Sequence, residues 1–170
     1  MSTFDLDLLQ GHPDDLPDIM NLVQACIKHM DSQGIHQWGD HYPTAEHFSQ
    51  DIDNRELWTA RHNGTLLAVI TLSERQPPEW HKVVWSFPDP ALVVKRLAVQ
   101  STFQGQGIGH RLMDFAEDTA RQQECRSVRL DAYSDNPVAL ALYQSRGYRN
   151  AGAVEFPKRC RHGYCFEKQL

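Results

Sequence analysis

The spacing of apolar residues along this chain switches repeatedly between a period of two and a period near 3.6, and each switch marks an element. Phe4, Leu6 and Leu8 alternate with Asp5 and Asp7, the period of a half-buried strand. Leu16, Ile19, Met20, Val23, Ile27 and Met30 then recur as a helical stripe ending before Gly34, with Asp14 or Asp15 available as the cap and Pro17 tolerated in the first turn. A short helix is expected from about Thr44 to Ile52, with Thr44 as cap and Phe48 and Ile52 on one face. Glu56 to Arg61 and Leu66 to Leu72 read as antiparallel strands joined at a turn containing Asn63-Gly64.

Residues 76–90, QPPEWHKVVWSFPDP, form a proline- and aromatic-rich excursion with a short extended piece near Val83 to Trp85. Leu92 to Val99 is a central strand interrupted by Lys95 and Arg96. In the next helix Ile108, Leu112, Phe115, Ala116 and Thr119 share a face, leaving Asp114, Glu117, Asp118 and Arg121 to water. Val128, Leu130 and Ala132 alternate as a strand. Asn136 and Pro137 open a further helix that carries Leu140, Leu142 and Tyr143 toward a stop at Gly147. Two last strands, about Tyr148 to Val154 and Tyr164 to Lys168, flank a polar loop. The order is strand, two helices, three strands, helix, strand, helix, two strands. It predicts an α/β fold: a mixed central sheet of about six or seven strands flanked by helices, with parallel pairing forced where helices cross over.

The length, 170 residues, fits one domain spanning 1–170, with an ordinary apolar fraction of 41%. A formal charge of -5 and scattered basic residues argue against nucleic acid as the main partner. No apolar run reaches membrane-spanning length and the first residues are acidic, so neither membrane nor secretion is expected and the cytoplasm is the default location. The four cysteines are too dispersed for a disulfide framework. Cys160-Arg161-His162-Gly163-Tyr164-Cys165 gathers three metal-ligand types without the paired close spacings of a zinc site, so no metal is expected and buried thiols are the plainer reading.

The candidate chemistry lies in QGQGIG, where Gly105, Gly107 and Gly109 occupy alternate positions between a strand and a helix. Such a turn presents amides that no Cβ shields, and the first-turn N–H groups of the helix add the positive end of its dipole. A phosphate satisfies them. A tight strand-to-helix connection is the structural alternative, but one glycine serves that purpose, and each further one costs about 0.5–1 kcal/mol of backbone entropy. The dinucleotide fingerprint fails, because the sixth position is His110 counting from Gly105 and Leu112 counting from Gly107. A P-loop fails for want of Gly-Lys-Ser or Gly-Lys-Thr.

Gln104-Gly105-Gln106-Gly107-Ile108-Gly109, at a strand end and helix start, resembles the acetyl-CoA fingerprint of the GCN5-related N-acetyltransferases, the GNAT superfamily. A second resemblance follows in the right order: Asn136, Ala139 and Tyr143, then Gly147-Tyr148. The resemblance covers nearly the whole chain and implies the acyl-CoA N-acyltransferase fold, with acetyl-CoA as co-substrate. It places the backbone of Leu97, Ala98 and Val99 along the pantetheine arm. The turn from Gln104 to His110, with Gly105, Gln106, Gly107, Ile108 and Gly109, falls around the pyrophosphate. Asn136 is a second cofactor contact or simply a helix cap, Ala139 leaves room for the arm, and Tyr143 is the general acid or, alternatively, an amphipathic core residue. Two positions depart from the family: Ser101 where many relatives have proline, and Ala91, Leu92, Val93 and Val94 where one branch carries a glutamate base.

The base is therefore unassigned, with Glu46, His81, Asp131, Glu155 and His162 as candidates. The acceptor is expected near Trp38, Tyr42, Phe48, Trp80, Trp85 and Phe156, some of which must fill the core instead. The implied reaction is acetyl transfer to a primary amine of a small molecule, amino acid or protein N-terminus. The alternatives are an acyl-CoA-binding sensor without transferase activity and an enzyme acting on aminoacyl-tRNA, which requires a basic channel. Residues Ile35 to Thr44 and Tyr164 to Lys168 resemble uncharacterised bacterial acetyltransferases. The family's frequent pairing through edge strands implies a homodimer.

Overall fold

The computed structural model describes residues 5–159 and 161–170. Phe4 and Cys160 lie outside the described residues, so the first position of the opening alternation and one thiol of the late cluster receive no structural account. The elements are β1 (Asp7–Gln10), α1 (Leu16–Ser32), α2 (Ala45–Asp53), β2 (Leu57–His62), β3 (Thr65–Ser73), β4 (Ala91–Val99), α3 (Ile108–Gln122), β5 (Ser127–Tyr133), α4 (Pro137–Ser145), β6 (Arg149–Val154) and β7 (Gly163–Gln169). Seven strands form one mixed sheet in the order β1-β2-β3-β4-β5-β7-β6, and β4–β5 is its parallel pair.

Local chemistry explains several boundaries. Asn63 and Gly64 both take positive φ, 48° and 79°, which suits a two-residue hairpin turn between β2 and β3. The Thr44 hydroxyl accepts from the His47 amide and starts α2. Asn136 caps α4, its side-chain oxygen accepting from Ala139 N–H at 3.1 Å. At α1 the expectation of an acidic cap fails: Asp15 makes no cap bond, because its carboxylate accepts from the His12 amide and the Arg61 guanidinium.

The helices cover both faces of the sheet. On one, Ile108, Leu112, Met113 and Ala116 of α3 pack on Leu92, Val128, Leu130 and Ala132, with Tyr143 of α4 in the same cluster. On the other, Ile19, Val23 and Ile27 of α1 and Phe48 and Ile52 of α2 pack on Leu57, Val69 and Ala98. Each such fully buried aliphatic side chain contributes about 1.5–3 kcal/mol. A third cluster joins Trp80 to Val93, Val154 and Cys165, with Trp85 and Phe156 against it.

Val83 to Trp85, expected as a short extended piece, follows a 3-10 turn at Pro78–Lys82, starts with extended backbone at Val83 and joins no strand; nearby prolines remove the amides a ladder needs. One sequence expectation is corrected here. Glu117 is not turned to water. It is buried and accepts from Arg146, from the Tyr148 hydroxyl at 3.2 Å and from Lys168 at 2.9 Å, tying α3 to the end of α4 and to β7. Cys26, Cys125 and Cys165 are free and buried. Among the described residues no His, Cys, Asp and Glu group is placed to hold a metal, and no helix is long and apolar enough to cross a membrane.

Candidate active site

The sheet opens where its two halves meet. Parallel pairing of β4 with β5 runs only from Ala91–Ser127 to Val93–Arg129, after which both strands continue without each other. Against β3, β4 also carries an extra residue: Thr71 faces Lys95 and Val69 faces Ala98, so three steps on β4 match two on β3. Arg96 sits in this bulge with φ of 49°, a left-handed conformation unusual for a residue with a Cβ. The resulting cleft, about 1310 Å³, is bounded by the loop after α1, the free part of β4, the glycine turn, β5, α4 and the segment after β6. The expected residues Leu97, Ala98, Val99, Gln104, Gly105, Gly107, Ile108, Gly109, His110, Asn136, Ala139 and Tyr143 all line it. Gln106 does not; its side chain turns back toward the Thr102 carbonyl.

At one end, the turn is shaped for an anion. Gly105 and Gly107 have φ of 76° and 82°, and a Cβ built on either meets nothing within 4 Å, so the space above the backbone is open. Gly107 is the N-cap of α3 and supplies no side-chain acceptor; the first intrahelical bond runs from Arg111 N–H to the Gly107 carbonyl at 3.1 Å. The amides ahead of Arg111 therefore face the cleft end of the helix dipole uncapped. Gly109 differs: a Cβ there meets the end of the Leu142 side chain at 3.4 Å, so this position faces α4 and not open space.

Tyr143 and Asp131 stand farther along. Tyr143 is buried between Tyr148 and Phe166, and its hydroxyl has no hydrogen-bond partner among the described residues. Burial, and secondarily the charge of Asp131, hold the phenol well above its ordinary range, so it stays protonated. Asp131 sits on β5 with alternating neighbours: Leu130 and Ala132 join the α3/α4 face, so Asp131 projects to the other, toward Trp80 and Phe156. Desolvation raises its carboxyl above the usual range, opposed by Arg159 and by the Trp80 indole. Of the other base candidates, Glu46, His81, Glu155 and His162 do not line the cleft. His81 bonds its own turn at Pro78 O, and His162 stacks on Tyr164.

The other end of the cleft holds polar residues that were not named as candidates from the sequence. Arg96 donates through Nε to Asp51 at 2.7 Å, through a second nitrogen to the other Asp51 oxygen, and through Nη1 to the Tyr42 hydroxyl at 3.0 Å. The Thr71 hydroxyl adds a bond to Asp51 at 2.8 Å. Burial raises the Tyr42 phenol, with Arg96 working against it. Gln37 accepts from Asn136 Nδ2 at 2.8 Å, joining the loop after α1 to the cap of α4 across the cleft. Both polar ends of Asn136 are thus engaged within the protein. Trp38, Tyr42 and Phe156 line the cleft as expected. Phe48, Trp80 and Trp85 do not: Phe48 and Trp80 are core, and Trp85 stacks on the buried Arg129. The one signal for Arg96 was its intrusion into an apolar strand; Asp51 and Arg159 gave none.

A seven-stranded mixed sheet, split between its parallel strands beside a glycine cradle at a helix start, defines an acyl-CoA N-acyltransferase fold. Solved structures share it: the GNAT-family acetyltransferase from Streptococcus agalactiae superposes with TM-score 0.82 at 19% identity, covering 99% of this chain and 98% of that one. The PaiA N-acetyltransferase from Thermoplasma acidophilum, determined with coenzyme A, gives 0.73 at 15% identity over 100% of both chains. An uncharacterised N-acetyltransferase of Bacillus subtilis, YesJ, is 26% identical over 144 residues, 82% of this chain and 79% of its own. Residues 23–148 match the family model described as acetyltransferase (GNAT) family, and the chain belongs to that family.

Proposed function

We propose that this chain transfers an acetyl group from acetyl-CoA directly to a primary amine bound in the same cleft. The carrying observation is that Tyr143 and Asp131 reach the split in the sheet from its opposite faces, one on the α4 side and one on the Trp80 side. The glycine cradle fits the co-substrate, since open space lies over two left-handed glycines and uncapped amides, as a pyrophosphate requires. The coenzyme A bound to the Thermoplasma neighbour supports this use of the fold. Acetyl-CoA, when bound, supplies a thioester carbonyl and a thiol leaving group.

The chain's own groups divide the remaining work. The unpaired edge of β4 at Leu97 and Val99 offers amides to the pantetheine and to the developing charge on the carbonyl oxygen. Asp131 accepts the proton that the acceptor ammonium must lose, and its raised affinity for protons suits that task better than an ordinary carboxylate. Tyr143, kept protonated by burial, donates at the departing sulfur. The Gln37–Asn136 bond ties the loop after α1 to the start of α4 across the cleft.

The test is an acceptor screen that follows free thiol release from acetyl-CoA, run beside Tyr143→Phe. Turnover of the variant is expected to fall roughly 10- to 1,000-fold while coenzyme A binding changes little, since the ring and its packing remain. Equal rates under conditions where chemistry limits turnover refute the assignment.

A further inference from the structure

Two arginines approach the Tyr42 ring at the acceptor end of the cleft, and they differ in how fully they are used. Arg96 donates from all three of its nitrogens, twice to Asp51 and once to the Tyr42 hydroxyl. Among the described residues Arg159 does not. Its guanidinium lies 4.2 Å from the Phe156 ring centre and 5.4 Å from that of Tyr42, and its side chain is only 14% exposed. Its Nη1 reaches Asp131 Oδ1 at 3.5 Å, the outer limit of a hydrogen bond, and among the described residues the guanidinium meets no second acceptor. Stacking on aromatic faces fixes the plane of the guanidinium and strips its water, while most of its donors remain unspent.

The surroundings carry the same sign. Lys95, Arg96, Lys158 and Arg159 line the cleft, against Asp131 and Glu79 as its carboxylates, although the whole chain has a formal charge of -5. With Arg96 neutralised by Asp51, Arg159 and Asp131 form a cation and an anion side by side, joined by one contact at 3.5 Å.

We propose that the acceptor is a free α-amino acid, its ammonium facing Asp131 and its carboxylate facing Arg159. The proposal rests on the acetyltransferase reading above and narrows its acceptor. A zwitterion with both charges on one carbon replaces a single stretched contact by two short charge-assisted ones. A protein or peptide N-terminus carries a neutral amide where that carboxylate stands, and a simple amine carries nothing there. Either leaves Arg159 with no more than its stretched contact to Asp131, and sites with a poorly satisfied polar partner reject the analogue that leaves it so.

The experiment measures thiol release from acetyl-CoA with the standard amino acids, with the carboxamide of each, and with short peptides beginning with the same residue. At least one free acid is expected to exceed its carboxamide and its peptide in kcat/KM by roughly 10- to 100-fold. Arg159→Gln is expected to erase that advantage by raising KM for the free acid, Arg159→Lys to keep part of it, and calorimetric coenzyme A affinity to report that the fold is intact. Any change in Asp131 is shared by acid and carboxamide, so the ratio isolates the carboxylate. Carboxamides or peptides used as well as the acids, or an equal loss on both in Arg159→Gln, overturn the proposal and leave the transferase standing. Coenzyme A binding with no thiol release from any amine overturns both.

Discussion

Replacing Asp51 by alanine isolates the lock on the β4 bulge. Asp51 and Arg96 have side chains only 6% and 10% exposed, and Asp51 accepts from two Arg96 nitrogens and from the Thr71 hydroxyl. Without the carboxylate, a guanidinium stays buried with only the Tyr42 hydroxyl beside it, and Thr71 loses its acceptor. Breaking a buried pair from one side costs about 3–5 kcal/mol. At roughly 2–4 °C per kcal/mol for a chain of this size, the melting temperature is expected to fall by roughly 6–20 °C. Because Arg96 is also held at φ of 49°, release of its side chain frees the bulge to relax, and kcat is expected to fall with stability. The double variant Asp51→Leu with Arg96→Met removes both charges and is expected to regain more than half of the lost stability but not the turnover. Thermal unfolding beside thiol release reads both quantities. A single variant within about 1 kcal/mol of the parent, or a double variant no more stable than the single, refutes the argument from buried charge.

Gly107→Val puts a branched side chain over the uncapped amides of α3 at a left-handed φ of 82°, and calorimetry is expected to show coenzyme A binding at least roughly tenfold weaker. Unchanged affinity removes the pyrophosphate from this turn. For Asp131→Asn the rate is expected to lose its rise with pH, because the proposed base is a carboxylate whose pKa lies above the usual range. The stability effect has a definite sign. A carboxyl raised in the folded state contributes fully below its unfolded value, about pH 4, and that contribution is lost as pH climbs through the raised folded value. The melting temperature of Asp131→Asn relative to the parent should therefore improve from pH 4 to pH 7, and a difference independent of pH contradicts the raised value.

What the sequence made legible was local. Asn63-Gly64, Thr44 and Asn136 announce a turn and two caps because the side chain or the missing Cβ acts within three residues of itself. The glycine turn was readable for the same reason. Glu117, Arg96 and Arg159 were not, since each owes its role to partners 20 or more positions away: Glu117 to Arg146 and Lys168, Arg96 to Asp51, Arg159 to Asp131. Periodicity placed Glu117 on a polar face without knowing that β7 would bring a lysine to it. Aromatic content pointed to an acceptor wall but did not separate Trp38 and Phe156, which line the cleft, from Phe48 and Trp80, which fill the core.

The last strand of the chain is an inner strand of the sheet. β7 pairs with β5 on one side and β6 on the other, whereas among the described residues β6 has no other strand to pair with. A ribosome delivers residues in order, so β5 and β6 leave it with a strand-wide gap between them that β7 fills. Until then Asp131 lacks Cys165 opposite it and Glu117 lacks Lys168, while the glycine cradle, β4 and α3 are already made. Loss of β7 therefore does not trim an edge. It removes the seam and detaches β6, together with the Arg159 segment that follows it, from β5 and the proposed base.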